Sequence, residues 1–237
     1  MKDRFEVASC LAFSRIWRRS GFMAKAKLIN WLAGATIAAA FVWLYLFFNP
    51  SPPAIDRSLH KEVGEVMAAE AIKLLEPGGR LFVIARAKEP FLVPAAAPQF
   101  DAFMDALKKS GKTVTGQRLL KIDPLRVVSV PTGDFIELLR KAQPNDVIVS
   151  FMGPPLLSNE QVQRLGKQPR VVALCSGAMP VQIDLRKIFE AQLLRTAVIS
   201  RTNAPARPDA SKNAFDQMFA VITPANLTEL PPLAAQH

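Results

Sequence analysis

The sequence predicts an α/β domain with a doubly wound, mostly parallel five-stranded sheet and helices on both faces, preceded by a single transmembrane helix. Apolar strands alternate with amphipathic helices after residue 58, a long uncharged stretch precedes them, and 50% of the 237 residues are hydrophobic. Parallel neighbours in a sheet require crossover connections, so this alternation places helices on both faces. The composition excludes collagen-like, disulfide-scaffold and fully disordered chains.

Residues 28–48 (LINWLAGATIAAAFVWLYLFF) contain no charged side chain and one amide, Asn30. A helix rising about 1.5 Å per residue covers the roughly 30 Å hydrocarbon core of a bilayer with this length. Trp31 near one end and Trp43 with Tyr45 near the other fit the preference of aromatic side chains for the headgroup level. A buried core helix or a cleaved signal peptide is the alternative. The length, and the lack of a small-residue cleavage site, favour a retained signal anchor in contact with lipid.

Basic residues crowd the N-terminal side of this stretch. Residues 1–27 hold seven basic and two acidic side chains, whereas residues 49–237 hold 23 and 18, within a total charge of +10. Cytoplasmic flanks are enriched in Lys and Arg, so the N-terminus is expected in the cytoplasm and the C-terminal domain on the periplasmic side of the inner membrane. The overall charge fits anionic partners, and we expect no nucleic-acid partner.

The chain divides into five predicted segments. They are a cytoplasmic basic segment at 1–27, the transmembrane helix at 28–48, a Pro-rich stalk at 49–57, the extracytoplasmic α/β domain at 58–201, and a Pro-rich tail at 202–237 with one run, Met218–Ile222, suited to an edge strand.

Hydrophobic periodicity within the α/β domain predicts its elements in order. Helices are expected at 59–75, 99–109, 133–142, 158–166 and 184–194. Strands are expected at 81–85, 113–120, 147–151, 170–174 and 197–200, with a further short apolar run at 127–130. Ser158 and Gln161 have the spacing of a capping box.

Residues 67–121 follow a recognisable order: a helix, the turn Pro77-Gly78-Gly79, an apolar strand, a long loop, and then F-x-x-F-x-x-x-L-K-K-x-G-K over 100–112 before another strand. This order resembles one lobe of the type I periplasmic solute-binding proteins, a Rossmann-like or flavodoxin-like α/β unit. The resemblance extends over about 130 residues. It implies a lobe that contributes half of a ligand cleft, since the family's full form closes two lobes on its ligand.

The inventory of reactive groups is small. Two cysteines and two histidines leave no material for a structural zinc site or a His-based triad. Residues 106–113 loosely match a P-loop, but there a helix precedes a strand, the reverse of the order that cradles phosphates. Cys10 and Cys175 lie on opposite sides of the predicted membrane and cannot pair. We therefore expect no metal, no cofactor and no catalytic residues.

Open parallel sheets bind ligands beyond the carboxyl ends of their strands. Arg86 and Arg201 both directly follow strands, and such a pair could hold a carboxylate by forked hydrogen bonds. The candidate ligand-binding residues are Arg86, Lys88, Thr132, Asp134, Ser176 and Arg201. The alternative is that these are solvated side chains at strand ends, and that Thr132 serves first to cap a helix.

One apolar loop stands out after the third expected strand. Its candidate interaction residues are Phe151, Met152, Pro154, Pro155 and Leu156. If exposed, they mark a docking surface for another protein or the membrane; equally, they could fold over the sheet as ordinary core.

These observations predict a non-catalytic binding or assembly module, an accessory subunit of an envelope membrane complex with membrane or periplasmic protein partners. The alternative function is that of a tethered solute-binding protein for a small anionic or carboxylate ligand. An enzyme of unrecognised class is the third hypothesis, with the thin set of reactive groups against it.

Overall fold

A computed structural model describes residues 30–48, 55–87, 93–121, 130–158, 160–161 and 168–234. The chain forms two compact units, Met1–Pro53 and Ala54–His237. The predicted basic segment, Lys88 and most of the predicted stalk lie outside the described residues.

The first unit contains helix α1, Asn30–Phe48. Its side chains are all exposed, including Trp31 and Trp43. Within the described residues it is the one helix long and apolar enough to cross a membrane, with a mean hydropathy of 1.8. This length and composition are found in membrane anchors and in signal sequences.

The second unit alternates strands and helices along most of its length. Its helices are α2 (Arg57–Leu74), α3 (Ala96–Lys109), α4 (Thr132–Lys141), α5 (Met179–Gln182), α6 (Leu185–Glu190) and α7 (Ala214–Met218). Its strands are β1 (Leu81–Arg86), β2 (Gly116–Leu120), β3 (Val147–Ser150), β4 (Arg170–Cys175), β5 (Thr196–Ser200) and β6 (Phe219–Ile222).

The strands form one sheet in the order β2-β1-β3-β4-β5-β6. The first five strands are parallel, with Ile84 beside Ser150 across β1 and β3 and Cys175 beside Ile199 across β4 and β5. Strand order reverses at β1, because the chain moves outward to β2 and then returns to β3 on the other side. The doubly wound architecture is thus confirmed, and the crevice between the ends of β1 and β3 is its switch point.

The sheet has six strands where the sequence predicted five. The sixth, β6, pairs antiparallel with β5 and comes from the tail, because the apolar run ending at Ile222 completes the sheet edge. The helix expected at 184–194 is shorter, since Gln192 adopts a positive φ of 59° that a helix does not continue. The capping box is present: the Ser158 amide donates to Gln161 Oε1, and the Gln161 amide donates to Ser158 Oγ.

Each face of the sheet has its own hydrophobic core. Helices α2, α3 and α7 cover one face, where Val63, Met67 and Phe103 pack on Val83 and Val149. Helices α4 and α6 cover the other face through Phe135, Leu139, Leu185 and Phe189, which pack on the alternate strand residues. Both faces of the central strands are buried, which accounts for their continuous apolar sequences.

A buried carboxylate holds the amino-terminal ends of β1 and β3 together. Asp146, whose side chain is 1% exposed, accepts from the Arg80 amide at 2.7 Å, from Arg80 Nη2 at 2.7 Å and from the Gln143 amide at 2.7 Å. Burial by itself would raise the pKa of Asp146, but these hydrogen bonds and the charge of Arg80 outweigh it and lower the pKa.

Helices α2 and α3 approach each other closely at Gly64. A Cβ at this position would lie 2.1 Å from the Gln99 carbonyl oxygen and 3.0 Å from the Phe103 amide nitrogen. Four residues earlier on α2, His60 Nδ1 lies 3.1 Å from Gln99 Nε2. Only glycine allows this helix spacing, and the spacing in turn brings His60 and Gln99 together.

Protonation of His60 is expected to make folding pH-dependent. Burial lowers the pKa of His60, opposed by the negative charge of Asp56, so the folded state prefers the neutral ring. The unfolded ring has a pKa of about 6.5, so the unfolded state binds more protons and stability falls as the pH drops through this value. We expect the free energy of unfolding to decrease between about pH 7.5 and about pH 5.5, and the decrease to be smaller in His60→Gln. An equal decrease in both proteins, measured by urea unfolding, would assign it to other groups.

Candidate functional site

The candidate site is the edge of the sheet where the five parallel strands end. Arg86 closes β1 beside the switch point and is half-buried. Its side chain has no hydrogen-bond or ion-pair partner within the part of the chain that the structure describes. On the same face, the adjacent strand β3 ends at Ser150, which is fully buried and whose hydroxyl accepts from the Met152 amide at 3.3 Å. Arg86 and Ser150 therefore lie at the carboxyl ends of the two strands that flank the switch point.

Two predicted ligand residues on α4 have partners within the domain. Thr132 Oγ1 donates to the Leu156 carbonyl at 3.2 Å and joins the start of α4 to the loop after β3. Asp134 accepts from Arg118 Nη2 at 2.6 Å and from Arg118 Nε at 3.1 Å. Asp134 also raises the pKa of Arg118 through this hydrogen bond and its charge. Both residues therefore position α4 against its neighbours.

Arg201 is also engaged, at the opposite end of the site. Its backbone amide donates to the Met218 carbonyl at 2.9 Å, continuing the ladder between β5 and β6. Its Nε donates to the Asp216 carbonyl at 2.8 Å and to the Phe219 carbonyl at 3.0 Å. The side chain thus fastens α7 and β6 to the end of β5.

The sheet order separates the two arginines that were expected to share an anion. The order β1-β3-β4-β5 places three strand steps between Arg86 and Arg201, about 14 Å between their backbones at about 4.8 Å per step. Arg201 Nε moreover donates to one carbonyl of α7 and one of β6. Simultaneous binding of one small carboxylate by Arg86 and Arg201, each through forked hydrogen bonds, does not agree with this geometry.

Ser176 lies between them, just beyond β4, and is exposed. Gly177 follows with a positive φ of 65°, and its amide donates to Ser200 Oγ at 3.1 Å. The turn therefore places two hydroxyl groups, from Ser176 and Ser200, at the ends of neighbouring strands β4 and β5. Lys88, the remaining predicted ligand residue, lies outside the described residues.

The apolar loop after β3 packs mainly into the domain. Phe151 makes edge-to-face contacts with Phe100 and Phe103, at ring-centroid distances of 5.9 and 5.2 Å. Met152, Pro154 and Pro155 are buried, while Leu156 is 38% exposed. Of the two alternatives for this loop, the structure shows core packing at its start and exposure at Leu156.

Two further exposed apolar side chains were not singled out in the sequence. Val93, just before α3, is 39% exposed, and Leu119, near the end of β2, is 52% exposed. Like Leu156, both lie at the edge where the parallel strands end. We call Val93, Leu119, Leu156 and Arg86 the carboxyl-edge face, because they share this edge of the sheet; Arg86 is in register with Leu120, so Leu119 and Arg86 project from opposite sides of the sheet at this edge. Leu119 lies on the edge strand β2, where Gln117 and Arg118 are exposed with it.

Reactive groups are few in the part of the chain that the structure describes. Cys175 is fully buried, and burial raises the pKa of its thiol to about 12, which removes it as a nucleophile. Among the described residues, no three His, Cys, Asp or Glu side chains lie together in a way that could hold a metal ion.

No protein-family description matches the sequence, and no curated protein matches it significantly. Similar solved structures include periplasmic solute-binding proteins, the class that the order of elements in residues 67–121 resembles, and a LacI-type transcriptional regulator from Bacteroides fragilis. A carbohydrate transporter solute binding protein from Agrobacterium radiobacter, in complex with D-arabinose, has 14% identity and a TM-score of 0.45 over 71% of this chain and 60% of that one. An ABC transporter solute binding protein from Burkholderia graminis, also with D-arabinose, has 18% identity and a TM-score of 0.48 over 71% and 61%.

An arabinose binding protein from Geobacillus stearothermophilus has 14% identity and a TM-score of 0.46 over 73% of this chain and 63% of that one. This chain therefore spans about three fifths of the length of the proteins it matches. All three are described as binding proteins. The likeness concerns the arrangement of strands and helices.

Proposed function

We propose that this chain is a single-pass membrane protein whose extracytoplasmic α/β domain is a non-catalytic binding or assembly module, an accessory subunit of an envelope membrane complex. The observation that carries the proposal is the carboxyl-edge face. An arginine without a partner among the described residues lies at the same edge as three exposed aliphatic side chains, Val93, Leu119 and Leu156. Exposed apolar groups combined with an available charge are typical of protein interaction sites.

The membrane topology of the proposal rests on α1 and its flanks. The helix is uncharged and fully exposed, and residues 1–27 before it carry a net charge of +5, from seven basic and two acidic side chains. In this arrangement the α/β domain faces the periplasm and Cys10 faces the cytoplasm.

Labelling in intact spheroplasts tests this topology. We expect a membrane-impermeant maleimide to label Lys61→Cys on the exposed side of α2. Cys10 should react only after the membrane is opened. Immediate labelling of Cys10 without labelling at position 61 would contradict the orientation.

Photo-crosslinking tests the binding role of the carboxyl-edge face. A photo-reactive amino acid at position 156 should give one discrete protein adduct in native membranes. The matched control is position 69, where Ala69 is exposed on α2, away from this edge. Adducts from neither position, or the same adducts from both, would count against the carboxyl-edge face as the binding surface.

A tethered solute-binding domain is the second candidate, because Ser176, Ser200 and Arg86 lie at the ends of their strands. In this version Arg86 alone supplies the charge for an anionic or carboxylate ligand, with hydroxyl groups as further hydrogen-bond partners. A specific ligand stabilises the folded state by mass action. We expect a cognate carboxylate to raise the melting temperature, and Arg86→Gln to abolish the increase. No increase across a broad panel of small anions would exclude this candidate.

A further inference from the structure

The two edge strands of the sheet, β6 and β2, differ in whether side chains form hydrogen bonds with their outward-facing backbone groups. At β6, the Arg201 amide donates to the Met218 carbonyl, so these two residues form a hydrogen-bonded pair of the antiparallel ladder. Hydrogen-bonded and non-hydrogen-bonded pairs alternate along such a ladder, so the backbone groups of Phe219 and Val221 point away from β5. Arg201 Nε donates to the Phe219 carbonyl, and Asn226 Nδ2 donates to the Val221 carbonyl, each at 3.0 Å. These side chains occupy the acceptors that another strand would need, so the β6 edge is blocked.

The β2 edge has no such protection in the described part of the chain. No described side chain donates to, or accepts from, the backbone of Gly116–Leu120. Three consecutive residues, Gln117, Arg118 and Leu119, are exposed. A charged side chain on an edge strand normally discourages pairing, but the guanidinium of Arg118 is held by Asp134 of α4. Among the residues that the structure describes, the β2 edge is therefore the open edge of this sheet.

The sequence segment that contains β2 is basic, although Asp134 and Glu137 of α4 lie near Arg118. No acidic residue occurs between positions 108 and 121. The basic residues of this segment are all exposed: Lys108, Lys109, Lys112, Arg118 and Lys121. Asp134 compensates one of these charges and leaves an excess of positive charge beside the open edge.

The positive charge beside β2 determines which kind of partner can bind at this edge. Two copies of this chain joined antiparallel through β2 would bring Lys112 and Lys121, which flank the strand in each copy, close to those of the other copy, and like charges that face each other destabilise strand pairs. An anionic lipid surface would satisfy the charge but would leave the strand's backbone groups and Leu119 unused. An extended peptide with acidic side chains satisfies the backbone, the charge and Leu119 together.

We propose that the outer edge of β2 pairs with an extended acidic segment of a partner protein, which adds a strand to the sheet and contacts Leu119. This inference rests on the proposed binding function and names the chemistry of its partner. Leu119 belongs to both surfaces, so a segment along β2 continues directly into the carboxyl-edge face.

Hydrogen exchange on the full-length protein in nanodiscs of neutral lipid tests the proposal. The probe is a synthetic peptide that alternates glutamate with valine; a second peptide carries lysine in place of glutamate. We expect the glutamate peptide to slow exchange of β2 amides about tenfold when present at about ten times its Kd, and to leave β6 amides unchanged. Equal protection by both peptides, or none at millimolar concentration, would overturn the proposal.

Charge reversal provides the matched variants. Lys112→Glu with Lys121→Glu keeps the Arg118–Asp134 pair intact and should abolish protection by the glutamate peptide and create protection by the lysine peptide, which also shows that the variant is folded. Arg207→Glu with Lys212→Glu makes the same change in net charge at exposed positions in the loop between β5 and α7, and should behave as wild type. If the first variant still prefers the glutamate peptide to the lysine peptide, the positive charge beside β2 has no role in binding.

Two further outcomes separate the alternatives. Binding to phosphatidylserine vesicles that depends on Lys112 and Lys121 without protection of β2 would assign the basic surface to lipid and overturn the proposal. If the β2 variant keeps the wild-type adduct from position 156, the binding module remains supported and the assignment of β2 falls. If the protein with otherwise wild-type sequence gives no adduct from position 156, the proposed function itself is rejected.

Discussion

Replacing Asp146 with asparagine is expected to lower the free energy of unfolding by about 3 kcal/mol. The side chain is 1% exposed and accepts hydrogen bonds from the amides of Arg80 and Gln143 as well as from the Arg80 side chain. Asparagine removes the charge and puts a donor where the carboxylate has only acceptors, so at least one buried group loses its partner. The loss affects the starts of β1 and β3 together.

Urea unfolding followed by circular dichroism measures this effect, since the three tryptophans all precede the α/β domain. Glu137→Gln is the matched control, because Glu137 pairs with Lys141 on the solvent side of α4 and exposed pairs contribute little. An equal loss of stability in Asp146→Asn and Glu137→Gln would show that the pair between Asp146 and Arg80 does not hold β1 and β3 together. The stabilisation by Asp146 should also be lost in acid, below about pH 4, because its pKa is lowered in the folded state.

Alanine at position 64 is expected to destabilise the domain by at least about 3 kcal/mol, at the upper end of the cost of overpacking a core. The added Cβ would meet backbone atoms of Gln99 and Phe103, which cannot rotate away as a flexible side chain would. Helices α2 and α3 would have to separate. Their contacts with Val83 and Val149 on the sheet would loosen at the same time.

The same substitution in open space controls for helix propensity. At Gly133, in the first turn of α4, an added Cβ meets no atom within 4 Å. Gly133→Ala should leave the protein unchanged or more stable by about 0.5–1 kcal/mol, because alanine loses less conformational entropy on folding. Midpoints of thermal unfolding that shift equally for both variants would contradict the close approach at Gly64.

Hydrophobic patterning was sufficient for the central sheet because buried parallel strands require continuous apolar runs. Val147–Ser150 and Arg170–Cys175 show this most clearly, as most of their side chains are buried on one face or the other. The first and last residues of the helices and strands were harder to predict. Helix α3 begins at Ala96 and not at residue 99, because Pro98 is tolerated in a first turn. Strand β2 begins late, at Gly116, where a Cβ would press on the Phe82 ring.

The candidate site was less accessible to sequence reasoning because it depends on strand order. Arg86 and Arg201 occupy equivalent places along the chain, each directly after a strand. Only the folded sheet shows that three strand steps separate them and that Arg201 donates to carbonyls of α7 and β6. The exposure of Leu119 depends in the same way on β2 being an edge, and the burial of Met152 depends on how its loop returns over the sheet.

The central claim is that this domain functions by binding a protein partner at the membrane. Gentle detergent extraction of the tagged full-length protein from its native membrane, followed by size-exclusion chromatography and mass spectrometry, tests it most directly. We expect the protein to elute with a defined set of membrane or periplasmic proteins in constant proportion. Elution of this chain alone, under conditions that keep other envelope complexes intact, would contradict the claim.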